Sequence, residues 1–288
     1  MSDYVLLFIN SSIASGSPEG LLTLYILTLA RILPIIAQAP FFGSRVLPAA
    51  VKVTFASTLF IIILPTLLDK VTTPLQYNMW LYLLFIKELF IGYALGLLCS
   101  VPFTIVQNVG MIIDHQRGGA SLMVNDPTVQ NQSSPLGTLF NMVLIYLFFY
   151  IDGPFYVIEA ISRSYELIPP DRVLSETFFS EKSPFWVQQI KLLNDVMVIS
   201  TQLAAPALIA ILMTDVFLGI ANRLAPQVQI TFLGMPLKSL LALTIIFIGW
   251  YAYNKQTVIE VWHWLNILKQ NLSYLQFGGP MTPLPPGP

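Results

Sequence analysis

The sequence contains few charged residues. Of its 288 residues, 14 are Lys or Arg and 15 are Asp or Glu, so charged residues make up 10% and the formal net charge is −1. In soluble domains about a quarter of the residues are charged. Hydrophobic residues make up 55% of the chain, and the mean hydropathy is +0.71. This composition predicts an integral membrane protein or a member of a membrane complex, and the near-neutral charge gives no indication of a nucleic-acid partner.

Residues that commonly carry chemistry are also scarce. Cys99 is the only cysteine, which excludes an intrachain disulfide, and its apolar neighbours predict a small packed side chain. The two histidines, His115 and His263, are far apart in the sequence and have no Cys or carboxylate at metal-ligand spacing. We find no cluster of nucleophile, base and orienting residue, no HExxH motif and no phosphate-binding loop. The sequence therefore predicts no metal, no cofactor and no enzymatic activity.

What the chain has in abundance is apolar sequence, but in short or interrupted segments. Val53–Leu68, Leu136–Ile151 and Ser239–Asn254 have 16 residues each, whereas a comfortable membrane span needs about 20. Pro34 and Pro206 lie inside two longer segments and are expected to interrupt a straight helix. Helices that are apolar on most faces need burial all round, so we expect partner subunits to cover much of this surface.

A few charged residues lie inside apolar segments. Lys87 and Glu88 interrupt the segment Met79–Val106, and such a pair is expected to face a protein interior or cavity because exposure to lipid is costly. An intrahelix or intersubunit pair is favoured over a contact with substrate. Asp215 is interpreted as bonding or capping a neighbouring helix and not as a proton relay. Three residues, Arg223, Pro226 and Gln227, are predicted to fix a turn at a subunit contact.

The composition predicts where the folded domain ends. A single helical domain is predicted over residues 1–275, and the Gly- and Pro-rich tail 276–288 is predicted to be disordered. Within the domain, Glu159–Asp195 is rich in charge and contains Pro169-Pro170, so it reads as the principal water-exposed region, helical at both ends. The segment that begins at Ser239 is expected to continue as one amphipathic helix through Leu268.

The stretch from Gly110 to Gly137, GMIIDHQRGGASLMVNDPTVQNQSSPLG, differs from everything around it. Charged residues and four glycines lie here between two long uncharged segments, which predicts a flexible polar insert in an apolar scaffold. In a medium without water, irregular backbone is tolerated only where protein or a water-filled cavity supplies its hydrogen bonds. Asp114 and Arg117 are three residues apart, so they are expected to form an ion pair, or to be a solvated i,i+3 pair at a helix end.

Three motifs carry a resemblance to a known family. They are GMIIDHQRGGASLMVNDP, the following SPLG before an apolar helix, and the late block DVFLGIANRLAPQVQITFLGMPLK. These motifs resemble those of the export-apparatus subunit of type III secretion systems, called SctT in injectisomes and FliR in flagella. The order and spacing of the motifs hold from about Leu21 to Tyr253. The charged Asp-His-Gln-Arg-Gly entry is more similar to the injectisome branch.

The resemblance implies a fold and a function. It implies an all-α chain of bent, membrane-associated helical hairpins that forms one subunit of a helical, pseudo-hexameric export gate in the bacterial inner membrane, partly on the periplasmic side. The implied partners are subunits of the SctR/FliP and SctS/FliQ families, the SctU/FlhB-family switch protein, and unfolded secreted substrates that pass through the channel. A secondary transporter of a small solute is the alternative, because Pro34 and Pro206 could mark paired broken helices.

In this family a loop plugs the pore, and the resemblance places that loop within the stretch from Gly110 to Gly137. It would be the loop after Ile113, with Gly118 and Gly119 as hinges and an apolar seal formed by three consecutive residues. Apolar side chains in a narrow pore exclude water and ions by dewetting, and Met adapts to varied passing chains. The Asp114–Arg117 pair would hold the closed loop, and the seal would consist of Leu122, Met123 and Val124.

Overall fold

The computed structural model describes residues 19–43, 47–71, 75, 79–118, 134–172, 184–224 and 230–274. Within these ranges all regular secondary structure is helical, which confirms the predicted all-α class. Besides a short 3-10 helix at Pro40–Phe42, the described part of the chain contains eight α-helices. They are α1 (Glu19–Gln38), α2 (Ala49–Lys70), α3 (Met79–Gln116), α4 (Pro135–Tyr150), α5 (Gly153–Leu167), α6 (Pro184–Leu224), α7 (Ile230–Ile248) and α8 (Trp250–Tyr274).

Prolines do not divide the helices as the sequence analysis expected. Pro34 lies inside α1, Pro65 inside α2 and Pro206 inside α6. A proline removes one backbone hydrogen bond, and neighbouring helices can satisfy the freed carbonyl in an apolar environment. Of the segments predicted to be shorter than a comfortable span, Val53–Leu68 lies within the 22-residue α2, so that expectation was wrong, whereas Leu136–Ile151 coincides with the 16-residue α4. Four described helices, α1, α2, α3 and α6, are long and apolar enough for a span, and up to six spans result if two bent helix pairs each count as one.

Glycine divides the chain where the sequence analysis expected continuity. The segment predicted to be one helix through Leu268 breaks at Gly249, and the axes on either side differ by 67°. The Gly249 amide still donates to the carbonyl of Ile245 at 2.9 Å, and its carbonyl accepts from Tyr253 at 2.9 Å. Glycine has no Cβ to resist the turn, so the bend lies here and not at Pro236, which α7 contains.

The chain divides into two compact units, and the first comprises residues 1–100, 152–190 and 264–288. In its described part α1 packs on α2, and α2 packs on α5. Leu24, Leu27 and Ile35 of α1 are fully buried. Helix α3 approaches α1 closely at Gly92, where an added Cβ would overlap the main chain of Arg31.

The stretch that follows α5 corrects one expectation. The prediction that Glu159–Asp195 is helical at both ends is confirmed, because α5 ends at Leu167 and α6 begins at Pro184. The prediction that it is the principal water-exposed region fails for its first part, since Tyr165 and Ile168 are fully buried. The reason is an ionic site on α1 and α3, described below, which draws this part of the chain into the core of the unit.

The second unit comprises residues 101–151 and 191–263. Its helices are joined by aromatic and polar contacts. The rings of Phe103 and Phe148 meet edge to face with centroids 5.4 Å apart, and the Ser200 hydroxyl of α6 lies 3.2 Å from the Ile105 carbonyl of α3. Many large apolar side chains of α6 remain exposed, and only 22% of the most apolar 18-residue part of this helix is buried. This surface is the kind that the sequence analysis expected partner subunits to cover.

Substitution at Gly92 tests the close approach of α1 and α3. Gly92→Ala should lower the thermal unfolding midpoint of the detergent-purified full chain, because the new methyl group meets the Arg31 main chain and overpacking costs about 1–3 kcal/mol. Gly219→Ala is the matched control, since a Cβ there would meet nothing within 4 Å. That control should be neutral or stabilising by up to ~1 kcal/mol through helix propensity. Equal midpoints for the two variants would contradict the close contact.

Candidate functional site

An ionic cluster, formed by Arg31, Lys87 and Glu88, lies inside the first unit. Arg31 and Glu88 are fully buried, and Lys87 is 6% exposed. The Arg31 guanidinium binds Glu88 through two donors, with Nε bonded to Oε2 and Nη2 lying 2.7 Å from Oε1. Nη1 donates to the Ser164 hydroxyl at 3.1 Å, and the guanidinium lies 4.1 Å from the centroid of the Tyr165 ring. Bidentate geometry of this kind gives the strongest charge-assisted hydrogen bonds.

Lys87 extends the ionic cluster to the main chain after α5. Its ammonium lies 2.7 Å from Glu88 Oε1 and donates to the carbonyls of Pro169, Pro170 and Arg172 at 3.1, 3.1 and 2.8 Å. Arg31 adds a bond of 2.8 Å to the Ile168 carbonyl. Removing one member of a buried pair costs about 3–5 kcal/mol because a charge is left uncompensated. The ionic cluster therefore fixes the main chain of residues 168–172, and Lys87 and Glu88 face a protein interior as predicted.

The second site, which we call the loop base, is built around Asp114 in the second unit. Asp114 is fully buried in the last turns of α3. One carboxylate oxygen accepts from Arg117, with Nη2 at 2.7 Å and Nε at 2.8 Å. The other oxygen accepts from the Ser134 hydroxyl and from the Leu136 amide at 3.0 Å. The predicted Asp114–Arg117 ion pair thus forms, and it is buried instead of solvated.

The loop base also organises the start of α4. Ser134 caps this helix by accepting a bond from the Gly137 amide at 2.9 Å, and Pro135 occupies the first turn. The first amides of a helix lack intrahelical acceptors, and its N-terminus favours negative charge. Asp114 supplies both an acceptor and a charge, because it binds the Leu136 amide and the Ser134 hydroxyl. The end of α3 and the start of α4 are therefore held together on the two sides of residues 119–133.

Gly110 of α3 and Gly137 of α4 allow these two helices to approach each other closely. A Cβ on Gly110 would overlap the main chain of Gly137, and a Cβ on Gly137 would lie 2.9 Å from the Gln107 carbonyl oxygen. No larger residue fits at either position without separating the helices. The two glycines of the central motif therefore serve close helix packing, whereas the sequence analysis had assigned them to flexibility.

Helix α7 braces the loop base from another side. The Arg117 Nη1 donates to the Ser239 hydroxyl at 3.1 Å. Gly118 has a positive φ of 88°, a conformation that favours glycine, and a Cβ built there would lie 3.4 Å from the Met235 side chain. Lys238 of α7 also pairs with Asp215 of α6. Asp215 and Lys238 are the first and last residues of the motif DVFLGIANRLAPQVQITFLGMPLK, so their ion pair joins its two ends. Met235, near the second end, lies beside Gly118 at the loop base.

The structure places the other predicted site residues as follows. Helix α3 continues to Gln116, so the expectation that a loop begins after Ile113 was wrong by about one turn; the backbone hydrogen bonds there are satisfied within the helix. Asp215 bonds a neighbouring helix as interpreted. Arg223 is exposed in the last turn of α6. The remaining predicted residues lie outside the described ranges: Gly119, Leu122, Met123, Val124, Pro226 and Gln227.

Several residues of both sites were missed by sequence reasoning. Arg31 is the only charged residue of α1 beyond Glu19, and a lone charge in an apolar helix is a usable signal. Ser134 before Pro135 has the pattern of a helix N-cap. Ser164 and Ser239 carry no such signal, because their partners lie 133 and 122 residues away in the chain.

These features define a class of protein. The chain is helical in its described ranges, has four helices apolar and long enough to span a membrane, and uses its buried charges to hold main-chain segments in place. Within the described residues, no three His, Cys, Asp or Glu side chains are grouped to hold a metal ion. This is a helical membrane protein whose buried polar groups have structural roles.

Comparison with known proteins narrows the class to a family. The family model described as "Bacterial export proteins, family 1" matches residues 22–259, and the chain belongs to this family. The match confirms the resemblance to the SctT/FliR family of type III export-apparatus subunits. Together with the apolar helices, it indicates an inner-membrane location.

Individual relatives come from both secretion and flagellar systems. The chain is 36% identical over 170 residues to "Surface presentation of antigens protein SpaR" of Shigella sonnei, which covers 58% of this chain and 62% of that protein. It is 32% identical over 163 residues to "Yop proteins translocation protein T" of Yersinia pestis, covering 56% and 60%. It is 30% identical over 215 residues to "Flagellar biosynthetic protein FliR" of Bacillus subtilis, covering 74% and 81%. The first two matches thus span less than two thirds of those relatives.

Loss of the Asp114 carboxylate tests the loop base. In Asp114→Ala the Leu136 and Gly137 amides should exchange with solvent about 10- to 100-fold faster, because hydrogen bonds to a charged group contribute about 1.5–3 kcal/mol. Hydrogen–deuterium exchange of the purified full chain measures this. Asp215→Ala is the matched control, since it also removes a paired carboxylate but one whose side chain is 42% exposed, and exposed pairs contribute about 0–1 kcal/mol. Unchanged exchange at 136–137 in Asp114→Ala would contradict the assignment.

Proposed function

We propose that this chain is a structural and gating subunit of a type III protein-export gate. Family membership supports a role in an export apparatus. The names of the relatives refer to antigen presentation at the surface, translocation of Yop proteins and flagellar biosynthesis. In this proposal the chain closes a pseudo-hexameric channel together with subunits of the SctR/FliP and SctS/FliQ families. It also contacts an SctU/FlhB-family switch protein, and unfolded proteins pass through the channel.

The loop base is the single observation that carries the gating part of the proposal. A plug must be displaceable and yet return to one place, so both ends of the plug need fixed attachment. Asp114 provides this by binding Arg117 on one side of residues 119–133 and Ser134 and Leu136 on the other. Joining Arg117 and Ser134 through one buried carboxylate fixes both attachment points of the proposed plug.

Residues within this stretch have the chemistry of a seal. Leu122, Met123 and Val124 are the only three consecutive apolar residues in the sequence from 119 to 133. Three apolar side chains at a constriction would exclude water and ions when the gate is closed. The methionine would repack as different polypeptides pass. We therefore propose that these residues seal the closed channel and that Gly118 and Gly119 serve as its hinges.

The exposed surface of α6 supports a role in assembly. Arg223 lies in the last turn of this helix among exposed apolar side chains, including Phe217, Ile220 and Leu224. Arginine surrounded by apolar groups is typical of contact residues between proteins. We propose that Arg223, with Pro226 and Gln227, contacts a neighbouring gate subunit. The complex would lie in the inner membrane and partly on its periplasmic side, and the Asp-His-Gln-Arg-Gly entry together with the 36% identity to SpaR favours the injectisome branch.

Copurification tests membership of the gate. Affinity purification of the tagged full chain from membranes that also contain the proposed partner subunits should recover a stoichiometric complex. The control is the same purification with the tag on an unrelated inner-membrane protein. Recovery of the chain alone, together with uptake of a small solute by vesicles containing only this chain, would overturn the proposal in favour of a transporter.

A charge in the proposed seal tests the gating part separately. In the assembled complex, Met123→Asp should raise the closed-state ion conductance severalfold, because a carboxylate hydrates a constriction that apolar side chains keep dry. Planar-bilayer recording measures the conductance. Asn131→Asp is the matched control, since it adds the same charge to the same stretch outside the seal. Equal closed-state conductance for the two variants, in complexes recovered with equal yield, would refute the seal while leaving membership of the complex intact.

A further inference from the structure

Two attachments of unequal strength meet at the end of α3. The Arg117 guanidinium donates twice to the Asp114 carboxylate, at 2.7 and 2.8 Å, and once to the Ser239 hydroxyl of α7, at 3.1 Å. Asp114 is charged and fully buried, whereas Ser239 is neutral and half-buried. Bonds between opposite charges in a buried site are stronger than one bond to a neutral hydroxyl. If α7 moves away, Arg117 therefore stays with Asp114.

A second side chain of α7 lies against Gly118, the last described residue before 119–133. Gly118 has a positive φ of 88°. A Cβ built on it would lie 3.4 Å from Cγ and 3.8 Å from Sδ of Met235. Met235 is 57% exposed, and its unbranched side chain rotates readily. Single van der Waals contacts of this kind are weak, so this attachment also separates more easily than the buried ion pair.

Few buried side chains hold α7 to the second unit. Among the described side chains of α7, Ala242 alone belongs to the buried apolar core. Lys238 pairs with Asp215 of α6, but these side chains are 22% and 42% exposed, and exposed pairs contribute little. Elements with few buried apolar contacts open at the lowest free energy. Displacing α7 is thus easier than displacing α4 or the end of α3, which bury Val101, Phe103, Ile105, Val106, Val109, Ile113, Leu136, Phe140, Leu144 and Phe148.

The far end of α7 provides a position at which this helix can rotate. It meets α8 at Gly249, where the two axes differ by 67°. The Gly249 amide donates to Ile245 and its carbonyl accepts from Tyr253, each at 2.9 Å, so the bend retains its backbone hydrogen bonds. Hinges are residues at element ends that absorb changes of φ and ψ, and glycine does so at low steric cost. Rotation here changes the distance between residues 235–239 and α3 without breaking the Asp114 bonds.

We propose that residues 235–239 of α7 form a releasable clasp on the end of α3. In the closed gate the clasp holds Arg117 through Ser239 and Gly118 through Met235. When α7 rotates at its bend to α8, the clasp opens and Gly118 can turn, while the buried ion pair of the loop base persists. The clasp thus regulates the gate, and this inference rests on the proposed function.

A disulfide bridge tests whether the clasp exists. A Cβ built on Gly118 lies 4.0 Å from the Met235 Cβ, within the range of about 3.5–4.5 Å that disulfides require. After oxidation with copper phenanthroline, mass spectrometry of the purified full chain should find an intramolecular bridge in Gly118→Cys/Met235→Cys. Gly118→Cys/Thr244→Cys is the matched control, because its second thiol lies about 13 Å further along α7. The native Cys99 is buried and should not react. Absence of a bridge in the first pair, or equal bridging in both pairs, would overturn the proposal.

Secretion by the bridged chain tests whether the clasp must open. In cells that carry Gly118→Cys/Met235→Cys in place of the unmodified subunit, oxidation should lower secretion at least tenfold and dithiothreitol should restore it, because the bridge keeps α7 on α3. The two single variants carry the same local changes and should show no such dependence. Unchanged secretion with the bridge formed would overturn the clasp and leave the gate subunit intact. An unmodified chain that supports no secretion in cells lacking their own subunit would instead overturn the proposed function, and the clasp with it.

A milder variant tests the clasp without a bridge. Ser239→Ala should raise the closed-state conductance of the assembled complex about two- to tenfold, the size of one hydrogen bond. Amide exchange at 136–137 should stay unchanged, because Asp114 keeps its own bonds. Thr244→Ala is the control, since it removes an α7 hydroxyl that donates to the Leu240 carbonyl of the same helix, and it should leave the conductance unchanged. Equal conductance for the two variants, or faster exchange at 136–137 in Ser239→Ala, would overturn the proposal.

Discussion

A buried carboxylate in apolar surroundings must be paired, and this constraint organises both units. Glu88 and Asp114 lie on the same helix, and both are fully buried. Glu88 is neutralised by Arg31 and Lys87, and Asp114 by Arg117 and two donors from the start of α4. Breaking such a buried pair costs about 3–5 kcal/mol. By contrast, an exposed pair such as Asp69–Lys70 contributes about 0–1 kcal/mol. The few buried charges therefore contribute more to the geometry than their small number suggests.

The two sites use their charges for different purposes. In the ionic cluster two cations hold a run of carbonyls after α5, so the result is a fixed main-chain segment inside the first unit. At the loop base one anion holds the two ends of a long polar stretch. Met235 and Ser239 of α7 add contacts at the same place. The proposed plug needs two fixed attachment points, and the loop base supplies them at the end of α3 and the start of α4.

Sequence reasoning succeeded where a signal was local. The i,i+3 spacing of Asp114 and Arg117 indicated their pair, and the charges of Lys87 and Glu88 in an apolar helix indicated burial. It failed where the deciding contact was distant, as for Arg31, whose partners lie 57 and 133 residues away. It also failed for proline, whose effect on a helix differs between water and an apolar environment. Proline was treated as a helix breaker, but these helices pass through Pro34, Pro65 and Pro206. The α7–α8 segment bends instead at Gly249. A single glycine within an apolar run gives no sequence signal that distinguishes a bend from a continuous helix.

If Asp114 holds the proposed plug in place, its loss should open the closed gate. The closed-state conductance of the assembled gate should be recorded with Asp114→Ala and with Asp215→Ala, each in complexes of verified composition. We expect a raised conductance for the first variant only, because Asp114 binds residues on both sides of 119–133 and Asp215 does not. A closed-state conductance equal to that of the unmodified gate in both variants would contradict it.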